Sequence, residues 1–422
     1  MAISADTADT SRPAEGRALL AVACGAHALH DGLSDLLYVL FPIWQASFGL
    51  NYAAVGMLRA LAAGTMACMQ VPSGWAAKRM SGALVLSAGT GIVGFAYVLA
   101  GVSGGLHTLG LALVIGGVGL STQHPIASSL VARAYDGARS RAALGTYNFA
   151  GDVGKVIVPA ATAWLIAGMS WRPAVSLVGT LGIAAALAIA VALHTVRRGT
   201  GQVPASLDHA SAAEPSQAPL GGGAGGRGPA PVGARRGFRV LLAIGVVDSA
   251  TRMAFLTFLP FILEKKGAEL PTVGIALALV FAGGAAGKLV CGFLGGRLGI
   301  LATVYLTEGL TAAGIIGLLP LPLGASLVLL PFIGIALNGT SSVLYGTVPE
   351  LVPRERRETA FGIFYTGTIG SGALSPVVYG WIGDKVAIVP MMTIVALICL
   401  ATIPLAVMLR SALGAPDSAM PA

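Results

Sequence analysis

Residues 42–79, PIWQASFGLNYAAVGMLRALAAGTMACMQVPSGWAAKR, and residues 260–297, PFILEKKGAELPTVGIALALVFAGGAAGKLVCGFLGGR, are two copies of one pattern. Pro42 stands against Pro260, Gly56 against Gly274, Gly74 against Gly292 and Arg79 against Arg297, each pair 218 residues apart with no gap. Val55–Val273, Ala60–Ala278, Leu61–Leu279 and Ala67–Ala285 share that offset. A chain rich in Ala, Gly and Val produces some matches by chance. The recurrence of Pro, Gly and Arg at corresponding helix ends is harder to produce that way. Each copy carries the end of one long apolar run and the whole of the next. A membrane span needs about 20 mostly apolar residues, and the second run meets that length in both copies.

Cutting the rest of the chain at charges, Gly/Pro clusters and turn signals predicts helices over 18–47, 53–76, 82–101, 107–132, 142–168, 172–194, 238–263, 272–295, 299–319, 324–348, 359–382 and 387–409. The first is expected to be interrupted near Pro42. The predicted fold class is therefore an all-α membrane protein with 12 transmembrane helices in two six-helix bundles. Composition agrees: 55% of the 422 residues are hydrophobic and 10% are charged, against roughly 25% charged in soluble domains. The 59 glycines suit helices that pack closely in lipid. Residues 199–236, GTGQVPASLDHASAAEPSQAPLGGGAGGRGPAPVGARR, cannot form a core and read as a flexible linker. The expected organisation is a tail over 1–17, bundles over 18–198 and 237–410, the linker between them, and a tail over 411–422. Residues 1–16 are polar and do not read as a cleavable signal.

The net charge of +8 does not point to nucleic acid. With the N-terminus cytoplasmic, 18 of the 26 Lys and Arg fall in cytoplasmic segments and 4, Arg172, Lys265, Lys266 and Lys385, on the opposite face. That bias follows the positive-inside rule and places both termini in the cytoplasm. The four cysteines, Cys24, Cys68, Cys291 and Cys399, lie in apolar runs without C-x-x-C spacing and read as small buried apolar residues. Trp44, Trp75, Trp171 and Trp381 lie near span ends, where interfacial anchors belong.

Parallel six-helix repeats are the signature of one large transporter class. On this repeat, and on SGWAAKRMSG (73–82), its weaker echo GFLGGRLG (292–299) and YGTVPELVPRERRETAFGIFYTGTIGSGALSPVVYGWIGD (345–384), the sequence resembles the major facilitator superfamily. Ala77 stands where that loop commonly carries an acid. The stretches HALHDGLSDLLYVLFPIWQASFGLNYAAVGMLRAL (27–61) and QHPIASSLVARAY (123–135) resemble the fosmidomycin-resistance branch. The resemblance implies a bacterial inner-membrane protein that exports drugs in exchange for protons by alternating access.

Ionisable residues inside a span are costly and mark functional candidates. The first helix carries His27, His30, Asp31 and Asp35, with His27, Asp31 and Asp35 at i, i+4 and i+8 on one face. Two carboxylates this close repel when both are ionised, which is the chemistry a proton-coupled carrier needs; the alternative is a structural hydrogen-bond network. His124, next to Pro125, completes the proton-coupling candidates. The substrate-binding candidates are Arg59, Asp152, Lys155, Asp248, Arg252, Asn338, Tyr345 and Tyr365. Arg59 is expected to neutralise Asp35 or to bind an anion. Asp152–Lys155 and Asp248–Arg252 can each close on themselves at i, i+3 and i, i+4, or open during transport. Asp248 and Arg252 map onto His30 and Ser34 by the repeat offset. Glu308 has no assigned role.

No P-loop occurs, and no enzyme, metal or cofactor is expected. The expected partners are a small-molecule substrate, protons and the lipid bilayer, with the chain a monomer. Three readings remain open: proton-driven efflux of a drug or metabolite, import of small organic anions by symport or exchange, and a non-transporting membrane sensor.

Overall fold

The computed structural model describes residues 11–135, 137–199, 234–353 and 356–413. Residues 1–10 of the expected N-terminal tail, residues 200–233 of the expected linker and residues 414–422 of the expected C-terminal tail lie outside the described residues. All regular elements among the described residues are helices, and they make twelve rods. The first is α1 (Ser11–Asp35) followed by α2 (Leu37–Phe48); the second to sixth are α3 (Tyr52–Arg79), α4 (Gly82–Gly101), α5 (Leu106–Leu120) with α6 (Gln123–Ala134), α7 (Gly137–Gly168) and α8 (Trp171–Gly199). The seventh to twelfth are α9 (Ala234–Lys265), α10 (Leu270–Leu298), α11 (Ile300–Leu318), α12 (Leu323–Leu351), α13 (Arg357–Val386) and α14 (Ile388–Cys399) with α15 (Thr402–Leu413). Ten rods are long and apolar enough to cross a membrane. The other two are α1 with α2, which carries the His and Asp residues, and α13, which is rich in Gly, Ser, Thr and Tyr.

Three rods are broken, each for a local reason. The interruption expected near Pro42 falls at Leu36, with Pro42 inside α2. The proline ring gives no N–H to the Tyr38 carbonyl and crowds it; the bend lies in the preceding turn, where Leu36 N still donates to Gly32 O at 3.0 Å. Between α5 and α6, the Ser121 and Thr122 hydroxyls donate to Val118 O and Gly119 O. Pro125 then occupies the first turn of α6, where a missing N–H costs nothing. Pro404 stands in the same place at the start of α15.

The described residues form two compact units: one contains residues 11–37 and 61–199, the other residues 38–60 and 234–413. The second unit thus takes in α2 and the start of α3. Its contacts are close because Gly56 lies against the Pro376 carbonyl and Gly380 against that of Tyr52. Asp384 also caps the first turn of α3, its carboxylate accepting from Tyr52 N at 2.8 Å and Ala53 N at 3.0 Å.

The same helix partnerships recur in both units. In the first, α1 packs on α7, and α4 on α8 and α5. In the second, α9 packs on α13, and α11 on α12 and α14. Glycines set the spacing: a Cβ at Gly154 of α7 would collide with the Ala28 carbonyl of α1, and one at Gly287 of α10 with the Ile335 carbonyl of α12. The first core gathers Leu86, Ile126, Val131, Tyr147 and Leu193; the second gathers Leu241, Ile244, Val304, Leu344 and Phe364.

Two of the four cations expected on the non-cytoplasmic side close helix ends. Arg172 Nη1 donates to Gly101 O (3.3 Å) and Ser103 O (2.5 Å) after α4. Lys266 Nζ donates to Leu319 O (2.9 Å) after α11. Both satisfy carbonyls left over at a helix C-terminus. Two expectations are corrected. Trp44 is fully buried rather than interfacial, with its ring against Phe41 at 6.1 Å, because α2 is covered on that face. Cys68 is exposed, not buried, while all four described cysteines are free thiols.

Candidate functional site

In the first unit, one face of α1 meets α6 and α7 over a cluster of ionisable groups. The i, i+4 spacing puts His27 Nε2 3.4 Å from Asp31 Oδ2. Lys155 of α7 brings its Nζ to 3.2 Å from the same oxygen and to 3.9 Å from Asp152 Oδ1. His124 of α6 places Nε2 3.8 Å from Asp31 Oδ1. Lys155 therefore bridges two helices instead of closing only on Asp152. The close approach is possible because residue 151 is glycine: a Cβ there would lie 2.7 Å from His27 Cε1 and 2.8 Å from Asp31 Oδ2.

The shell around the cluster fixes its orientation. His27 Nδ1 is 2.8 Å from the Tyr147 carbonyl, which can only accept, so Nδ1 carries the proton and donates. Nε2 then faces Asp31 and is buried without a hydrogen-bond partner. The Tyr147 ring stacks on His27 at 4.1 Å, and Gln123 Nε2 donates to the Tyr147 hydroxyl at 3.1 Å. Asp31 is 8% exposed, while the His124 side chain is 45% exposed. The cluster thus runs from a buried acid to an exposed base, an arrangement through which a proton can pass. Asp35, one turn beyond Asp31, is half-buried and within electrostatic reach of Lys155. The donor atoms of His27, Asp31 and His124 lie within 4.8 Å of one another, a spacing that suits a small cation; the Lys155 ammonium already supplies positive charge there.

His30 is turned away from this cluster. It is buried against α4, with Nε2 2.7 Å from Thr90 Oγ1, whose own proton goes to the Leu86 carbonyl. His30 Nε2–H is the donor of that bond, and the residue ties α1 to α4.

The second unit builds a different set. Arg252 Nη2 lies 3.5 Å from Asp248 Oδ2 one turn back on α9, and Nη1 donates to Ser341 Oγ of α12 at 3.5 Å. Tyr345 of α12 stands near this pair; its hydroxyl is 3.3 Å from Thr368 Oγ1 and its ring 4.7 Å from that of Tyr365 on α13. Asn338 is directed to its own helix, donating to Gly334 O at 3.2 Å and resting on Gly284. Arg59 is buried and engages the hydroxyl of Tyr38 through Nε (3.3 Å) and Nη2 (3.2 Å), with Nη2 3.5 Å from Met253 Sδ.

Sequence reasoning missed Glu308 and its surroundings. Glu308 of α11 is 2% exposed and accepts from the Cys399 thiol of α14 at 3.0 Å through Oε2, within electrostatic reach of Asp248. The signal was present in the repeat. The 218-residue offset that carries His30 onto Asp248 also carries Thr90 onto Glu308. The His30–Thr90 hydrogen bond of one unit and the Asp248 and Glu308 carboxyls of the other stand at equivalent positions of the repeat, filled with different side chains.

Comparison with known proteins agrees with this architecture. A family model described as the Major Facilitator Superfamily matches residues 23–366 and again 241–419. A fosmidomycin resistance protein of Escherichia coli (strain K12) is 24% identical over 407 residues, covering 92% of this chain and 91% of that protein. A probable sulfoacetate transporter of Cupriavidus necator is 25% identical over 369 residues, covering 82% of each. A solved bacterial homolog of the human lysosomal transporter Spinster, inward-facing and occupied, superposes with a TM-score of 0.68 at 17% identity, over 93% of this chain and 95% of that one. The inward-facing, unoccupied form gives the same TM-score at 18% identity, over 96% of both chains.

Proposed function

Because this chain belongs to the major facilitator superfamily, we propose that it is a proton-coupled secondary transporter of a small organic anion, switched by the Asp31–Lys155 ion pair. The observation that carries the reading is the 3.2 Å contact between Lys155 Nζ and Asp31 Oδ2. While Asp31 is ionised it occupies the ammonium that an anionic solute would use. A proton on Asp31 removes that competition and frees Lys155. Proton and anion then favour each other's binding, and the coupling is reciprocal. Two ligands that bind together travel together, so an inward proton gradient drives uptake. His124, exposed beside Asp31, and His27, oriented by Tyr147, supply the route for the proton. The similarity to a probable sulfoacetate transporter fits an anionic solute.

A second reading, proton-driven efflux, has the similarity to a fosmidomycin resistance protein in its favour. It requires the opposite coupling: the proton must displace the solute. A solute held by the ionised Asp31 itself would satisfy that; an anion held by Lys155 would not.

The setting belongs to the same proposal. The chain is a multi-pass monomer of the bacterial cytoplasmic membrane with both termini inside, supported by the charge asymmetry and the bacterial relatives. The deciding experiment uses proteoliposomes with an imposed pH gradient and a panel of anionic and amphipathic solutes that includes sulfonates. External acid is expected to drive anion accumulation. Asp31→Asn is expected to lower gradient-driven uptake tenfold or more while leaving downhill exchange measurable. Expulsion of preloaded solute by external acid would establish the efflux reading. Gradient-driven flux that persists with Asp31→Asn and Asp35→Asn combined would sink the proposed switch. Absence of flux with every solute would favour a non-transporting sensor.

A further inference from the structure

We infer that His27, Asp31 and His124 form a binding site for a divalent transition-metal ion of the zinc type, with two imidazole nitrogens and one carboxylate as ligands and a fourth position left to water. The i, i+4 step on α1 sets His27 Nε2 and Asp31 Oδ2 3.4 Å apart. Tetrahedral coordination at about 2.0–2.1 Å puts ligand atoms about 3.3 Å apart, so this pair already has the spacing of two zinc ligands. His124 of α6 brings Nε2 to 3.8 Å from Asp31 Oδ1, and the three donor atoms lie within 4.8 Å of one another. The His124 side chain is 45% exposed and has room to close the remaining gap by rotating.

Two further observations point to a cation at this place. His27 is 3% exposed and donates through Nδ1 to the Tyr147 carbonyl, so the neutral ring presents the bare lone pair of Nε2, which is buried without a hydrogen-bond partner. That lone pair faces a carboxylate oxygen, which is also an acceptor only. Two acceptors at 3.4 Å repel unless a cation lies between them. A ring that gives one N–H to a backbone carbonyl and keeps the other nitrogen bare is oriented as metal-binding histidines are. The second observation is Gly151. A Cβ there would stand 2.8 Å from both His27 Nε2 and Asp31 Oδ2, so the missing carbon leaves space beside the two donors. Lys155 does not bar the ion. Its Nζ is 3.2 Å from Asp31 Oδ2 but also 3.9 Å from Asp152 Oδ1, and it can pass to Asp152 when a metal takes Asp31. No metal was expected from the sequence, because His27 and Asp31 alone make no site and the third ligand arrives only with the packing of α1 on α6. A bound ion ties those two helices together and takes Asp31 away from Lys155, so it blocks transport. That consequence rests on the proposed Asp31 switch; the binding itself does not.

Zinc and cobalt(II) binding to the purified full chain, prepared without a polyhistidine tag and stripped with a chelator, tests the site directly. The wild type is expected to take up zinc stoichiometrically at micromolar protein, and its melting temperature should rise as zinc is added. Cobalt should give the visible absorption of a tetrahedral site without a thiolate charge-transfer band, which separates it from binding at the exposed Cys68 thiol. His124→Ala changes a half-exposed side chain, so its metal-free melting temperature should match the wild type. It should weaken zinc binding roughly tenfold or more and abolish the zinc-dependent rise in melting temperature. His27→Ala should weaken binding likewise. His107→Ala and His194→Ala, both at exposed positions elsewhere, should bind as the wild type does. No zinc uptake by the wild type would leave a proton as the occupant of the gap between His27 and Asp31 and overturn the inference. So would uptake that survives both His27→Ala and His124→Ala. None of these measurements involves transport, so zinc binding in a chain that shows no coupled flux would fault the Asp31 switch and leave the metal site standing.

Discussion

Gly151 shows how a single missing carbon sets the chemistry of the first cluster. Its place on α7 lets His27 and Asp31 lie against the helix backbone, with a notional Cβ only 2.7 Å and 2.8 Å from their atoms. Gly151→Ala adds no charge and improves helix propensity, yet it must push α1 away from Lys155. Overpacking of this kind costs about 1–3 kcal/mol. We expect a modest loss of stability and at least a tenfold loss of gradient-driven transport in proteoliposomes; an unimpaired Ala variant would show that the Asp31–Lys155 distance is not critical. Lys155 makes a related point. Its i, i+3 spacing to Asp152 is legible in the chain and suggested a closed local pair, but the nearer carboxylate is on another helix. Only the packing of α1 on α7 decided which acid it serves.

At the level of helices, polar residues do two kinds of work. Some hold helix ends. Arg172 and Lys266 answer C-terminal carbonyls, and Asp384 of α13 caps the start of α3. Removing a capping side chain costs about 0.5–2 kcal/mol, and the exposure of Asp384 puts it at the low end of that range. Asp384→Ala should therefore lower the melting temperature of the solubilised protein measurably, with Asp384→Asn closer to wild type because its side-chain oxygen still accepts. Equal stability in all three would remove the cap from the account. Other polar residues tie helix to helix, as His30 does to Thr90 and Cys399 to Glu308. Neither partnership is visible in local spacing, since they join positions 60 and 91 residues apart.

For the whole chain, the charge asymmetry makes a prediction about sidedness. Arg79 and Lys265 are both exposed and are assigned to opposite membrane faces. On a background with the four native cysteines replaced, a membrane-impermeant maleimide applied to intact cells should label Lys265→Cys and leave Arg79→Cys unlabelled until the cells are opened. The reverse pattern would invert the topology and, with it, the direction assigned to the coupled flux.

Twelve helices, their approximate limits and the twofold repeat could all be read from the chain. Apolar length, Gly/Pro punctuation and the 218-residue offset are one-dimensional signals that lipid as a solvent translates directly into rods. The ionisable residues could be named too, because a charge inside a span stands out against an apolar background. Their partners could not. Whether His30 faces the acid or Thr90, whether Lys155 bridges helices, why Trp44 is buried, and that Glu308 meets Cys399 depend on the rotation and contact of helices distant in sequence. Those are set by side-chain packing and by glycines that admit a neighbouring backbone. Glu308 had no role as an isolated acid in α11; contact with α14 gave its carboxylate the Cys399 thiol as a donor.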